Sequence, residues 1–256
     1  MELNSNVYSR ILIMKKLYIV YLMKKYIPNS FTSLNLICGC LAILLLSKDN
    51  YKASVIFCLL AFLFDFADGY FARMLKTESA IGKELDSFSD FVTSGVVPGM
   101  VMYKLLVKSG LPEKQIFLDL FDISFYVSYL SLVGFFITIA TAFRLSKFNL
   151  MKNDLKYFIG LPAPANCMMI MGLPFIFDYV GEKYLSYNFL YPFIFFSVYM
   201  LNSKIKMISL KSTHGLITSS IIFLICSLAF LTNFSVLTMV IFVYILVSLC
   251  YFQIKN

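Results

Sequence analysis

The chain has 256 residues, a net charge of +8, only 14% charged residues and a mean hydropathy of +0.81. Soluble domains carry about a quarter charged residues, so this composition excludes a water-soluble globular enzyme and predicts a polytopic helical membrane protein. The surplus of lysine and arginine is read as loop charge facing anionic lipid, and nucleic acid is not expected as a partner.

Residues 1–27 are apolar but broken by Arg10, Lys15, Lys16, Lys24 and Lys25, which is too much charge for a span. The stretch reads as an amphipathic helix lying on the membrane, or else as a basic flank. No small-residue cleavage site follows it, so no signal peptide is expected. Pro28-Asn29 then opens a first span at about 30–47. Further spans are expected at about 53–75, 84–106, 119–145, 164–180, 188–202, 214–231 and 236–252, all read from apolar runs. The fold class is therefore all-α: a membrane helical bundle with about eight transmembrane helices. Six cysteines lie inside apolar runs without a CxxC pair, which argues for packing and against a disulfide framework or a zinc site. The single histidine, His214, offers no basis for a histidine-dependent triad.

Orientation follows from the basic residues. With a cytoplasmic N-terminus and eight spans, sixteen lysines and arginines fall on the cytoplasmic side and six on the other. The loop at 76–83 is then cytoplasmic.

That loop joins the two helices that carry the chemistry. Asp65, Asp68, Gly69, Ala72 and Arg73 share one face of a helix, and Gly82, Asp86 and Asp90 share one face of the next. Four carboxylates and an arginine would meet across a helical hairpin inside the membrane, where ionisable groups are expensive and mark function. Uncompensated, the acids would repel. Hard divalent cations such as Mg²⁺ or Mn²⁺ are the natural partners, and a two-ion site suits displacement at phosphorus. Arg73 fits a phosphate clamp. Gly69 would let a phosphate or nucleotide approach the backbone, and Gly82 would do the same or permit tight helix packing. Two other readings remain on the residues alone: ion-pair glue between helices, and a cation transporter that uses the acids as a pathway.

The string Asp65-x-x-Asp68-Gly69-x-x-Ala72-Arg73, eight residues, Gly82-x-x-x-Asp86-x-x-x-Asp90 resembles in full the signature of the CDP-alcohol phosphatidyltransferase family. The resemblance implies a six-helix catalytic core, a homodimer, and displacement of CMP from a CDP-linked substrate by a hydroxyl acceptor. It implies that Asp65, Asp68, Asp86 and Asp90 ligate two Mg²⁺ or Mn²⁺ ions and that Asp90 is the base. Gly69, Arg73 and Ser79 would contact CDP-diacylglycerol. Softer stretches resemble the phosphatidylserine synthase branch: Pro28-Asn29-x-x-Thr32-x-x-Asn35, Glu84-Leu85-Asp86-Ser87, Phe143-Arg144-Leu145-Ser146-Lys147-Phe148-Asn149, and Phe158-x-Gly160-Leu161-Pro162-x-Pro164-Ala165. Asn166 and Cys167 depart from the small residues usual there. The acceptor implied is L-serine, with glycerol 3-phosphate or inositol phosphate as alternatives, and Arg144 is the candidate partner for the serine carboxylate. The expected organisation is a surface segment at 1–27, a catalytic core at 28–210 and two added spans at 211–256. The expected setting is a bacterial plasma membrane, with the site facing the cytoplasm.

Overall fold

The computed structural model describes residues 2–111, 114–118, 123–150, 157–208 and 233–254. Its elements in chain order are α1 (Glu2–Ser47), α2 (Tyr51–Leu75), α3 (Ala80–Phe91), a π-helical turn (Val92–Val96), α4 (Val97–Lys108), β1 (Lys114–Leu118), β2 (Ile123–Val127), a 3₁₀ segment (Tyr129–Phe135) and α5 (Phe136–Leu150). Then come β3 (Tyr157–Ile159), α6 (Ala163–Met171), α7 (Leu173–Val180), α8 (Tyr187–Asn202), β4 (Lys206–Ile208) and α9 (Ser235–Ile254). The chain is predominantly helical, and six stretches among the described residues are long and apolar enough to cross a bilayer: Tyr26–Ser47, Tyr51–Leu75, Ala80–Lys108, Tyr129–Leu150, Ala163–Val180 and Ser235–Gln253. It is an integral membrane protein.

Several expectations change. The helix runs from Glu2 to Ser47 without a break at Pro28. The fourth span begins at Tyr129 instead of 119. The preceding residues form an antiparallel β1–β2 pair with Lys114 opposite Val127 and Leu118 opposite Ile123. Its β-branched and aromatic residues favour strand, and Asp119 and Asp122 interrupt the apolar run. The sixth expected span is present as α8, but its 16 residues fall short of the ~20 needed to cross the hydrocarbon. The seventh, at 214–231, lies outside the described residues.

The core sits around α4 and α6. Val97, Val101, Met102 and Leu106 of α4 and Cys167, Met169 and Ile170 of α6 have no exposed surface. α1 packs along the length of α2, and α3 lies against α1. The α1–α3 contact is pinned where Ser89 Oγ donates to the Thr32 carbonyl at 3.1 Å. α5 crosses behind the π-helical turn, and α9 packs on α6. One glycine is decisive. Gly160 has φ +71°, and a Cβ there would lie 2.7 Å from the Leu201 carbonyl oxygen. Its N–H donates to Ile205 O at 2.8 Å, and the next N–H, that of Leu161, donates to Met200 O at 2.8 Å, which docks the 157–162 segment on the end of α8.

Candidate active site

α2 ends on Lys76, whose left-handed backbone (φ 54°) returns its N–H to the last-turn carbonyls of Ala72 and Arg73. Ser79 starts α3 as an extended N-cap residue, its Oγ accepting from Gly82 N at 3.1 Å. Capped on both sides of a four-residue connection, the two helices return side by side. Their polar faces meet.

Asp65, Asp68 and Asp86 each present a carboxylate oxygen within 4.8 Å of the others. Asp90 stands one turn beyond Asp86, close enough to Asp65 and Asp86 for the charges to interact. A cavity of about 530 Å³ opens over this group, lined by Asp68, Gly69, Arg73, Ser79, Gly82, Asp86 and Asp90 together with residues of α1 and α5. Asp65 and Arg144 are not among the lining residues. Arg73 folds back over Gly69: a Cβ at that glycine would lie 3.4 Å from Arg73 Nη1. A Cβ at Gly82 would lie 3.1 Å from Ser79 Oγ and 3.2 Å from Asn29 Oδ1, so this glycine lets α1 and the start of α3 close together. The hairpin therefore brings seven of the eight site residues named from the sequence to one place.

The eighth, Arg144, comes from α5. It interacts electrostatically with Asp90, but no ion pair of 4 Å or less holds it among the described residues. Its Nε is buried without a hydrogen-bond partner. The C-terminal end of α5 is tied to α3: Asn149 Nδ2 donates to Ser87 Oγ at 2.8 Å, and Lys83 Nζ donates to the Asn149 carbonyl at 3.4 Å. The asparagine ending the 143–149 stretch thus joins two helices of the site. Asn166 and Cys167 are fully buried packing residues. Asn166 Oδ1 accepts from Ser197 Oγ at 2.7 Å, and the Cys167 thiol lies 3.5 Å from that of Cys58.

Two site residues had no role on sequence grounds. Thr32 Oγ1 donates to Asp68 Oδ2 at 2.6 Å, and Asn35 is fully buried next to Asp90. The signal was available: Asn29, Thr32 and Asn35 recur at intervals of three in an apolar helix, which places them on one face.

The donor set fits a divalent cation. It consists of carboxylate oxygens alone, as hard ions require. Asp86 Oδ1 and Asp90 Oδ1 are buried with no hydrogen-bond partner, an arrangement that is costly unless something positive meets them.

Comparison with known proteins agrees with this geometry. The sequence model of the CDP-alcohol phosphatidyltransferase family matches residues 25–246. The chain is 37% identical over 153 residues to a CDP-diacylglycerol–serine O-phosphatidyltransferase of Bacillus subtilis, covering 60% of this chain and 77% of that protein. It is 36% identical over 147 residues to the protein of the same name from Methanocaldococcus jannaschii, covering 57% of this chain and 59% of that one. It is 31% identical over 179 residues to an archaetidylserine synthase of Methanothermobacter thermautotrophicus, covering 69% and 67%. The matched stretch takes in the whole acidic hairpin, α1 from Lys25 and α5. The chain belongs to the CDP-alcohol phosphatidyltransferase family.

Proposed function

We propose that the protein transfers the phosphatidyl group of CDP-diacylglycerol to the hydroxyl of L-serine, giving phosphatidylserine and CMP. The observation that carries this reading is the convergence of Asp65, Asp68, Asp86 and Asp90 beneath a cavity that also holds Gly69 and Arg73. The relatives' names support serine as acceptor.

Arg73 and Gly69 receive the diphosphate, the guanidinium as a charged donor and the glycine by leaving room. Ser79 lines the same cavity and contacts the nucleotide. Asp65, Asp68, Asp86 and Asp90 would hold two Mg²⁺ or Mn²⁺ ions, which would supply positive charge where the leaving phosphate gains negative charge. Asp90 takes the proton of the serine hydroxyl. The serine oxygen forms a bond to the phosphorus bearing the diacylglycerol, and the bond from that phosphorus to the CMP oxygen breaks. Arg144, next to Asp90 with an unpaired Nε, takes the serine carboxylate.

The acyl chains remain in the bilayer throughout. A cytoplasmic N-terminus is part of the proposal, and the two spans in α1 and α2 would then return the 76–83 connection to the cytoplasmic side. A bacterial plasma membrane and a homodimer complete the proposal.

The test is CMP release by purified protein with CDP-diacylglycerol, comparing L-serine, glycerol 3-phosphate and inositol phosphate, each with Mg²⁺, Mn²⁺ or EDTA. Release with serine alone, abolished by EDTA, supports the proposal. Release with another acceptor overturns serine, and none with any acceptor overturns the transferase reading.

A further inference from the structure

α1 contributes no carboxylate to the site, yet its polar face runs along it. Asn29, Thr32 and Asn35 are spaced by three and meet three parts of the acidic hairpin. Asn29 Oδ1 closes on Gly82 at the start of α3. Thr32, 3% exposed, donates to Asp68 Oδ2 at 2.6 Å. The same hydroxyl lies 3.1 Å from Pro28 O, the carbonyl one turn back that a helical threonine would ordinarily choose. The shorter contact goes across to α2 and to a charged acceptor, which makes the stronger bond. Asn35 has no exposed surface, and neither atom of its carboxamide has a partner. It interacts with the Asp90 carboxylate but falls short of a well-formed hydrogen bond, and Asp90 Oδ1 is itself buried and unpaired.

A buried amide with both ends unsatisfied is costly to keep and needs an explanation. A neighbouring carboxylate supplies one. Asn35 Nδ2 can donate to Asp90 once that carboxylate turns toward a cation, just as Thr32 already donates to Asp68. Residues that hydrogen-bond ligating carboxylates fix their orientation and set metal affinity. The Ser89–Thr32 bond holds α1 in register with α3 at this level, so the donors sit at defined heights.

We infer that Thr32 and Asn35 of α1 are positioning residues that orient Asp68 and Asp90 for the divalent cation, and so set the affinity of the site for it. The inference rests on the proposed metal-dependent reading of the aspartates. α1 is then the support of the metal site as well as a membrane anchor.

The test is a titration of purified full-length protein in detergent with Mn²⁺ alone, following the electron paramagnetic resonance signal of free Mn²⁺, with no substrate present. Thr32→Val keeps the branched shape and removes the donor. It is expected to weaken Mn²⁺ binding on the order of 10-fold, with Thr32→Ser restoring it. Asn35→Leu is expected to weaken binding by a similar factor. In both variants saturating Mn²⁺ returns the KM for L-serine to that of the wild type. Should Thr32→Val not be recovered folded, Thr32→Ala takes its place. A merely structural role would lower thermal stability and leave the Mn²⁺ constant alone. Unchanged Mn²⁺ binding in folded Thr32 and Asn35 variants, with binding lost in Asp68→Asn, overturns this inference and leaves the metal site standing. No Mn²⁺ binding by the wild type overturns both.

Discussion

Replacing Arg144 by Gln separates recognition of the acceptor from the rest of the reaction. Among the described residues the guanidinium makes no ion pair of 4 Å or less, and its Nε is buried without a partner. It interacts electrostatically with Asp90 without a close ion pair, and its unpartnered Nε leaves donor capacity for a bound acceptor. The cost falls on the bound acceptor. A hydrogen bond to a charged group contributes about 1.5–3 kcal/mol, and each 1.4 kcal/mol is a factor of ten. Arg144→Gln should thus lower kcat/KM for L-serine by roughly 10- to 150-fold. The change should appear as a raised KM for serine, with the KM for CDP-diacylglycerol held within about twofold. The assay is CMP release at saturating metal, varying one substrate at a time. An unchanged KM for serine, or an equal rise in both KM values, would refute the assignment and return Arg144 to a plain basic anchor at the end of a span.

Other outcomes follow from the hairpin. Asp90→Asn removes the proposed base and should reduce CMP release by about 10²–10⁴-fold, while equilibrium binding of CDP-diacylglycerol is retained. Asp86→Asn should abolish metal-dependent turnover and weaken Mn²⁺ binding; wild-type rates in it would sink the metal assignment. Gly82→Ala places a Cβ 3.1 Å from Ser79 Oγ and 3.2 Å from Asn29 Oδ1. Displacing the Ser79 cap should cost about 1 kcal/mol, read as a fall in the thermal unfolding midpoint in detergent together with a raised KM for CDP-diacylglycerol. Gly160→Ala forces a side chain into a left-handed backbone against the Leu201 carbonyl. The backbone strain alone is about 1–2 kcal/mol, so the unfolding midpoint should drop by about 2–8 °C for a chain of this size. No drop would show that the 157–162 segment is not docked on α8.

Much of the site was legible in the sequence because helix periodicity is local. Asp65, Asp68, Gly69 and Arg73 share a face by their spacing alone, and so do Gly82, Asp86 and Asp90. The connection between α2 and α3 is so short that the two faces must meet. Composition likewise determined the membrane setting, since an apolar run long enough to cross a bilayer needs no tertiary partner to be recognised. Tertiary structure decided what depends on distant segments. Thr32 lies 36 positions before Asp68, and no local rule pairs them; only the packing of α1 along α2 makes the 2.6 Å bond. Arg144 meets Asp90, and Asn149 meets Ser87, only because α5 crosses α3. The strands at 114–118 and 123–127 and the late start of the fourth span were hidden for a related reason. Apolar strand and apolar helix read alike in hydropathy, and pairing between Lys114 and Val127 resolves them. Within one helix or one short hairpin the backbone geometry is set by neighbours in sequence. Across helices the register is set by which side chains fit, and that is a property of the folded bundle.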